Sequence, residues 1–161
     1  MTLVFDASPL IVLAKAGLID RFLGLAESVV IPAPVASEVS RVDDPADPAR
    51  LWIQDVSHQK WIAEAPDISP FVRAWDLGVG ESSVISFAAN VPGAVAVLDD
   101  LAARRCAQAL RLPVVGTLGL VLMAKKQKLI PSARQALDRI VAAGLFISPR
   151  HVLAICKEAG E

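Results

Sequence analysis

Tyrosine is absent from this chain, and the other aromatic residues amount to five phenylalanines and three tryptophans. A platform that stacks successive nucleic-acid bases needs several exposed rings, so none is evident in the sequence. Cysteine is equally scarce. Cys106 and Cys156 stand alone, with no CxxC spacing and no histidine pair nearby. That argues against a zinc site and a disulfide framework, and both read as small buried residues in helices. Histidine occurs twice, as His58 in a polar loop and His151 in the final helix. Both read as ordinary surface residues. No GxGxxG run follows a strand, and Gly78-Val79-Gly80 leads into Glu81, whose charge would repel a pyrophosphate. Long apolar runs are missing too. Val29-Val30-Ile31 stops at Pro32 and Gly119 to Ala124 stops at Lys125, far short of the ~18 residues of a membrane span. The opening Met1 to Asp6 has no basic lead-in and meets an acid at position 6, unlike a signal peptide. A cytoplasmic location, away from any membrane, is the expectation.

What is present is a large apolar fraction. Hydrophobic residues make up 54% of the 161 and charged residues 20%, too apolar for disorder and enough to bury one core without staples. A single domain over residues 1–161 is expected. The net charge of −1 hides an imbalance. Acids dominate residues 1–100 and bases dominate 101–161. Such halves suit a protein that holds metal with one and phosphate with the other, although charges scattered over solvated faces would look the same.

Strand and helix signals alternate. Thr2 to Phe5, Val29 to Ile31, Ala94 to Leu98 and Pro113 to Val115 read as buried strands. Between them, Ser8-Pro9 reads as the cap and first residue of a helix ending at Gly17. Helices are predicted from Pro34 to about Arg41 and from Glu81 to Asn90. Others are predicted over Leu101 to Leu110, Gly116-Thr117 to Lys128, Pro131 to Ala143 and Ser148 to Ala159. Residues 52 to 61 carry no usable pattern. Alternation of this kind implies a parallel sheet covered on both faces.

In such a sheet the ligand crevice lies beyond the carboxyl ends of the strands. Asp6 follows the first strand; Asp99 and Asp100 follow the third. Carboxylates crowded at one edge repel unless a cation offsets them, and hard cations such as Mg²⁺ or Mn²⁺ suit oxygen ligands. Those ions activate water and stabilise charge on a scissile phosphate. Each acid also has a plain structural role open to it. Asp6 and Asp100 suit helix caps, Glu81 suits the positive end of its helix, and Glu38 suits a solvated face.

Their order along the chain resembles the PIN domain. Val4-Phe5-Asp6-Ala7-Ser8-Pro9 looks like its opening motif. Ile31-Pro32 through Ser37-Glu38-Val39 looks like the second acidic motif. Leu77-Gly78-Val79-Gly80-Glu81-Ser82 resembles the third, in a Gly-x-Gly-Glu variant. Val97-Leu98-Asp99-Asp100 with Arg104 resembles the fourth, and Val115-Gly116-Thr117 to Lys125 looks like the strand and helix that follow it. The resemblance implies a three-layer α/β/α sandwich with a central parallel sheet. It also implies Asp6, Glu38, Glu81 and Asp99 as an acidic quartet for Mg²⁺ or Mn²⁺, with Asp100 sharing or replacing Asp99. Ser8 and Thr117 would be polar supports, and Arg104 would meet RNA or pair with a carboxylate. The implied activity is a metal-dependent ribonuclease, often dimeric, and in many relatives a VapC-like toxin held inactive by a small antitoxin. Toxins of that type carry Thr-x-Asp at the fourth motif, where this chain reads Leu98-Asp99-Asp100. RNA would lie along Arg104, Arg105, Arg111, Lys125, Lys126 and Lys128, contacts that position a strand without reading it. Two rival readings stand beside this one. One is a non-catalytic binding module with a degenerate acidic site. The other is a hydrolase with an aspartate nucleophile, which would want a second Asp where Ser8 stands.

Overall fold

Leu3, Val4 and Phe5 have no solvent exposure, as expected of a parallel strand covered on both faces. In the computed structural model, which describes residues 1–161, they form β1 (Thr2–Phe5) at the centre of a five-stranded sheet. The others are β2 (Ser28–Pro32), β3 (Ile62–Ala63), β4 (Ala94–Val97) and β5 (Val114–Val115), in the order β3-β2-β1-β4-β5. All pairings are parallel. Thr2 stands opposite both Ser28 and Ala94, and Phe5 opposite Val97. Ten helices flank the sheet, giving the expected α/β/α sandwich. They are α1 (Ala7–Lys15), α2 (Ile19–Leu23), α3 (Ala33–Ser40), α4 (Pro48–Gln54), α5 (Pro70–Arg73), α6 (Val79–Asn90), α7 (Leu101–Ala109), α8 (Thr117–Lys126), α9 (Ala133–Ala142) and α10 (Pro149–Glu158). None is long and apolar enough to cross a membrane.

Two local expectations need correction. The first helix starts before Ser8: Asp6 occupies the cap position with extended backbone, and Ser8 is an exposed residue of the first turn. First-turn amides have no helical acceptor, so Pro9 fits anywhere in that turn and marks the start only loosely. The second correction concerns residues 52 to 61. They span the end of α4, a 3₁₀ segment (Val56–Trp61) and the approach to β3. Two residues are too few to show a strand period, and β3 is held by pairing Ile62 with Ile31 and Ala63 with Pro32. Here Trp52, His58 and Trp61 gather with near-parallel rings, centroids 4.2, 5.1 and 5.6 Å apart. His58 is therefore no ordinary surface residue. Its Nδ1 lies 2.7 Å from the Trp52 carbonyl, which only accepts, so that nitrogen carries the proton. Trp52 is largely buried and donates through Nε1 to Asp20 at 2.9 Å, which makes the cluster a brace rather than a stacking platform. Cys106 and Cys156 are buried, unpaired helix residues, as read from the sequence.

Asp47 ties this region to α1. Its carboxylate accepts from the amides of Ala49 at 2.8 Å and Arg50 at 3.3 Å, and pairs with Lys15 at 3.1 Å. Loss of a cap costs typically ~1 kcal/mol and up to about 2. Asp47→Ala should lower stability by about 2 kcal/mol in urea denaturation at pH 7. A loss below about 0.5 kcal/mol would show that α4 is held by packing alone.

Candidate active site

The site begins with the register of the sheet. The Asp6 amide donates to the Val97 carbonyl at 3.1 Å, so β1 and β4 end side by side and the chain leaves both at one edge. Asp6 is 4% exposed. On the other side of β1, β2 runs into α3, which carries Glu38; α6, which packs on β1, β2 and β4, carries Glu81 in its first turn. Gly80 lies between them. A Cβ there would sit 3.1 Å from Glu38 Oε2 and 3.2 Å from Asp6 Oδ1, so both carboxylates face the same bare stretch of backbone. A Cβ at Gly78 would strike the Glu81 carboxylate itself. Neither glycine has a positive φ; the Gly-x-Gly-Glu motif provides room, not an unusual turn.

The electrostatics follow. Burial pushes the Asp6 carboxyl from 3.8 up to about 7. The amides of Ala7 and Ser8 pull it down, and the charges of Glu81 and Glu38 push it up again. Neither amide makes a side-chain cap hydrogen bond of good geometry. Glu38 is also raised, first by burial and then by Glu81, though its side chain is largely exposed. No cation of the protein pairs with Asp6, Glu38, Glu81 or Asp99.

The adjacent aspartates have different surroundings. Asp100 caps α7, accepting from the Ala103 amide at 2.8 Å, and is exposed. Asp99 turns toward α8, where Oδ1 accepts from the Thr117 amide at 2.7 Å and Oδ2 from Thr117 Oγ1 at 2.6 Å. Thr117 is fully buried. Arg104 donates to the Leu98 carbonyl at 3.0 Å and forms no ion pair. The structure thus gathers Asp6, Glu38 and Glu81 and sets Asp99 one strand over. Asp100 caps α7, and Ser8 is an exposed residue of the first turn of α1 whose amide lies at the Asp6 carboxyl. No three acidic, histidine or cysteine side chains are close enough to enclose an ion as they stand. The basic half does not form one stripe beside the acids. Lys125 pairs with Glu161 at 2.8 Å and Lys126 with Glu158 at 3.6 Å, at the end of α8 remote from Thr117. Arg41, three residues past Glu38, escaped the sequence reading because it belongs to the acidic half.

A comparison with protein families matches residues 2–161 to a family described as PIN domain. The chain belongs to the PIN-domain family. Membership covers the whole sheet and all four acidic motifs, and it points to nuclease-type activity on a nucleic-acid substrate, an activity for which PIN nucleases typically use divalent metals. No curated protein matches the sequence.

The buried acid gives this PIN domain a pH signature. The folded-state pKa of Asp6 lies above its unfolded value, so its stabilising contribution is complete below about pH 4 and is lost as pH rises through about 7. In chelator, Asp6→Asn should flatten the stability profile between pH 5 and 8 and gain roughly 3 kcal/mol over the parent at pH 8. Urea titrations at several pH values measure this; parallel profiles for parent and variant would refute the buried-acid assignment.

Proposed function

We propose that this PIN domain, a single unit over residues 1–161, is a metal-dependent endoribonuclease. The observation that carries the proposal is the buried Asp6 carboxyl, pressed by Glu81 and Glu38 and reached by no protein cation. The donor set is all carboxylate, without histidine or thiolate, which suits Mg²⁺ or Mn²⁺. The gap left at Gly80 between Asp6 and Glu38 supports the same fit. Asp6, Glu81 and Asp99 are read as the residues that would hold the ion, with Glu38 at the rim. Such an ion supplies positive charge at a scissile phosphate and lowers the pKa of water. Asp6, once ionised, would be one of the carboxylates that hold the ion. Thr117 fixes the Asp99 carboxylate through two hydrogen bonds, leaving it lone pairs to spare. Asp100 is read as a structural cap.

A VapC-like toxin role, with a small antitoxin as partner, belongs to the same proposal, as do a cytoplasmic location and a homodimer. Exposed Val141 and Leu153, which line one groove with Ile147 and Val152, support a protein partner. That no three of these acids stand close enough to enclose an ion favours a second reading, a PIN-fold module that binds RNA without cutting it.

Cleavage of a labelled RNA in Mn²⁺ distinguishes the two. The parent should cut, chelator should stop it, and Asp6→Ala and Asp99→Ala should each lower the rate at least 10²-fold, in keeping with loss of a group that stabilises transition-state charge. Asp100→Ala should stay within about three-fold while losing ~1 kcal/mol of stability. Unchanged cleavage and manganese binding in Asp6→Ala would refute the catalytic assignment.

A further inference from the structure

Two grooves flank the acids. One, of about 420 Å³, is lined by Asp99, Arg104, Gly116 and Gly119 beside β5. The other, of about 430 Å³, is lined by Ser37, Glu38, Arg41 and Gly80 between α3 and α6. Each ends at a carboxylate through a glycine. Gly80 abuts Asp6 and Glu38, as described above. A Cβ at Gly116 would lie 2.9 Å from Asp99 Oδ1 and 2.8 Å from an Arg104 Nη, a clash the fold avoids by leaving that position bare. Because β1 and β4 are neighbours, the grooves open on either side of the same pair of strand exits.

Each groove holds one arginine, and neither is in an ion pair. Arg104 uses one Nη on the Leu98 carbonyl. That bond anchors the guanidinium, and its remaining donors meet no protein acceptor. Arg41 is exposed at the end of α3, and its side chain makes no hydrogen bond. A held guanidinium with free donors in a groove matches a phosphate, whose oxygens accept its fork of N–H groups. Acids alone would repel a polyanion; a cation on either side of them draws it across.

We propose that a single RNA strand crosses the carboxyl edge of the sheet through both grooves, with one backbone phosphate on Arg104 and another on Arg41, so that the bond between lies over Asp6. This rests on the nuclease reading above. A flexible single strand bends readily from one groove to the other, whereas an A-form duplex is stiff.

The test is binding of a short labelled single-stranded RNA to protein carrying Asp6→Asn, followed by anisotropy over a range of salt. Arg104→Ala and Arg41→Ala should each weaken binding roughly ten-fold and reduce the salt slope by about 0.7, the share of one phosphate on a single strand. Arg104→Lys should keep the slope, since the charge remains. Arg150→Ala, on α10 and in neither groove, should change neither affinity nor slope. Thermal melting of each variant guards against misfolding, and exposed Arg41 gives an arm independent of the anchored Arg104. The path is overturned if both alanine variants bind like their parent, if Arg150→Ala loses as much, or if duplex RNA binds as tightly through the same arginines. Cleavage by the parent is scored separately. Cutting with unchanged slopes removes the path and leaves the nuclease; altered slopes without cutting remove the nuclease and leave a binding track.

Discussion

The parallel register of β1 with both of its neighbours is the constraint on which the site depends. One hydrogen bond, from the Asp6 amide to the Val97 carbonyl, marks where it matters. It extends the ladder by one residue past β1 and fixes the Asp6 side chain just beyond the sheet, beside the exit of β4. A slip of one residue would turn Asp6 toward the opposite face and send the buried Leu3, Val4 and Phe5 to the wrong layers. The apolar core and the acidic pocket are therefore specified by the same pairing. The pairing that places the core also sets Asp6 beside the exit of β4, far from it in sequence.

That placement sets up a competition for the carboxyl of Asp6. Desolvation and the charges of Glu81 and Glu38 favour the protonated form, whereas a divalent cation requires the ionised one. With its pKa near 7, the group exchanges its proton close to neutral pH, and the cation proposed above would compete with that proton. Gly80 matters here more than any charge. An alanine at that position would press on Asp6 Oδ1 and Glu38 Oε2 from 3.2 and 3.1 Å, tighter than ordinary contact, so one or both carboxylates would have to shift.

Much of this was legible in the residues. The strand before Asp6 and the strand before Asp99 are continuous apolar runs, and their central, buried positions follow from that pattern. The Gly-x-Gly-Glu segment announced both a helix start and an acid. Three things were not legible. β3 is held by partners rather than by its own two residues. The Trp52, His58 and Trp61 cluster depends on a 3₁₀ turn, which has no hydrophobic period to betray it. Arg41 lies in a stretch where acids outnumber bases, and a charge tally along the chain averages away the single cation that the fold brings beside Glu38.

The aspartate pair shows how backbone geometry separates chemically identical neighbours. Asp99 and Asp100 follow one another beyond the end of β4, yet they meet different partners. The second meets the free amides of α7 and caps them through Ala103. The first is left facing β5, where the next strand delivers Thr117 eighteen residues later. Either residue could have served as a ligand in isolation. What divides them is that a helix beginning at Leu101 needs an acceptor at the position before it, and only Asp100 stands there. The cap commits Asp100 to α7, while Asp99 is held by Thr117 beside the exit of β4.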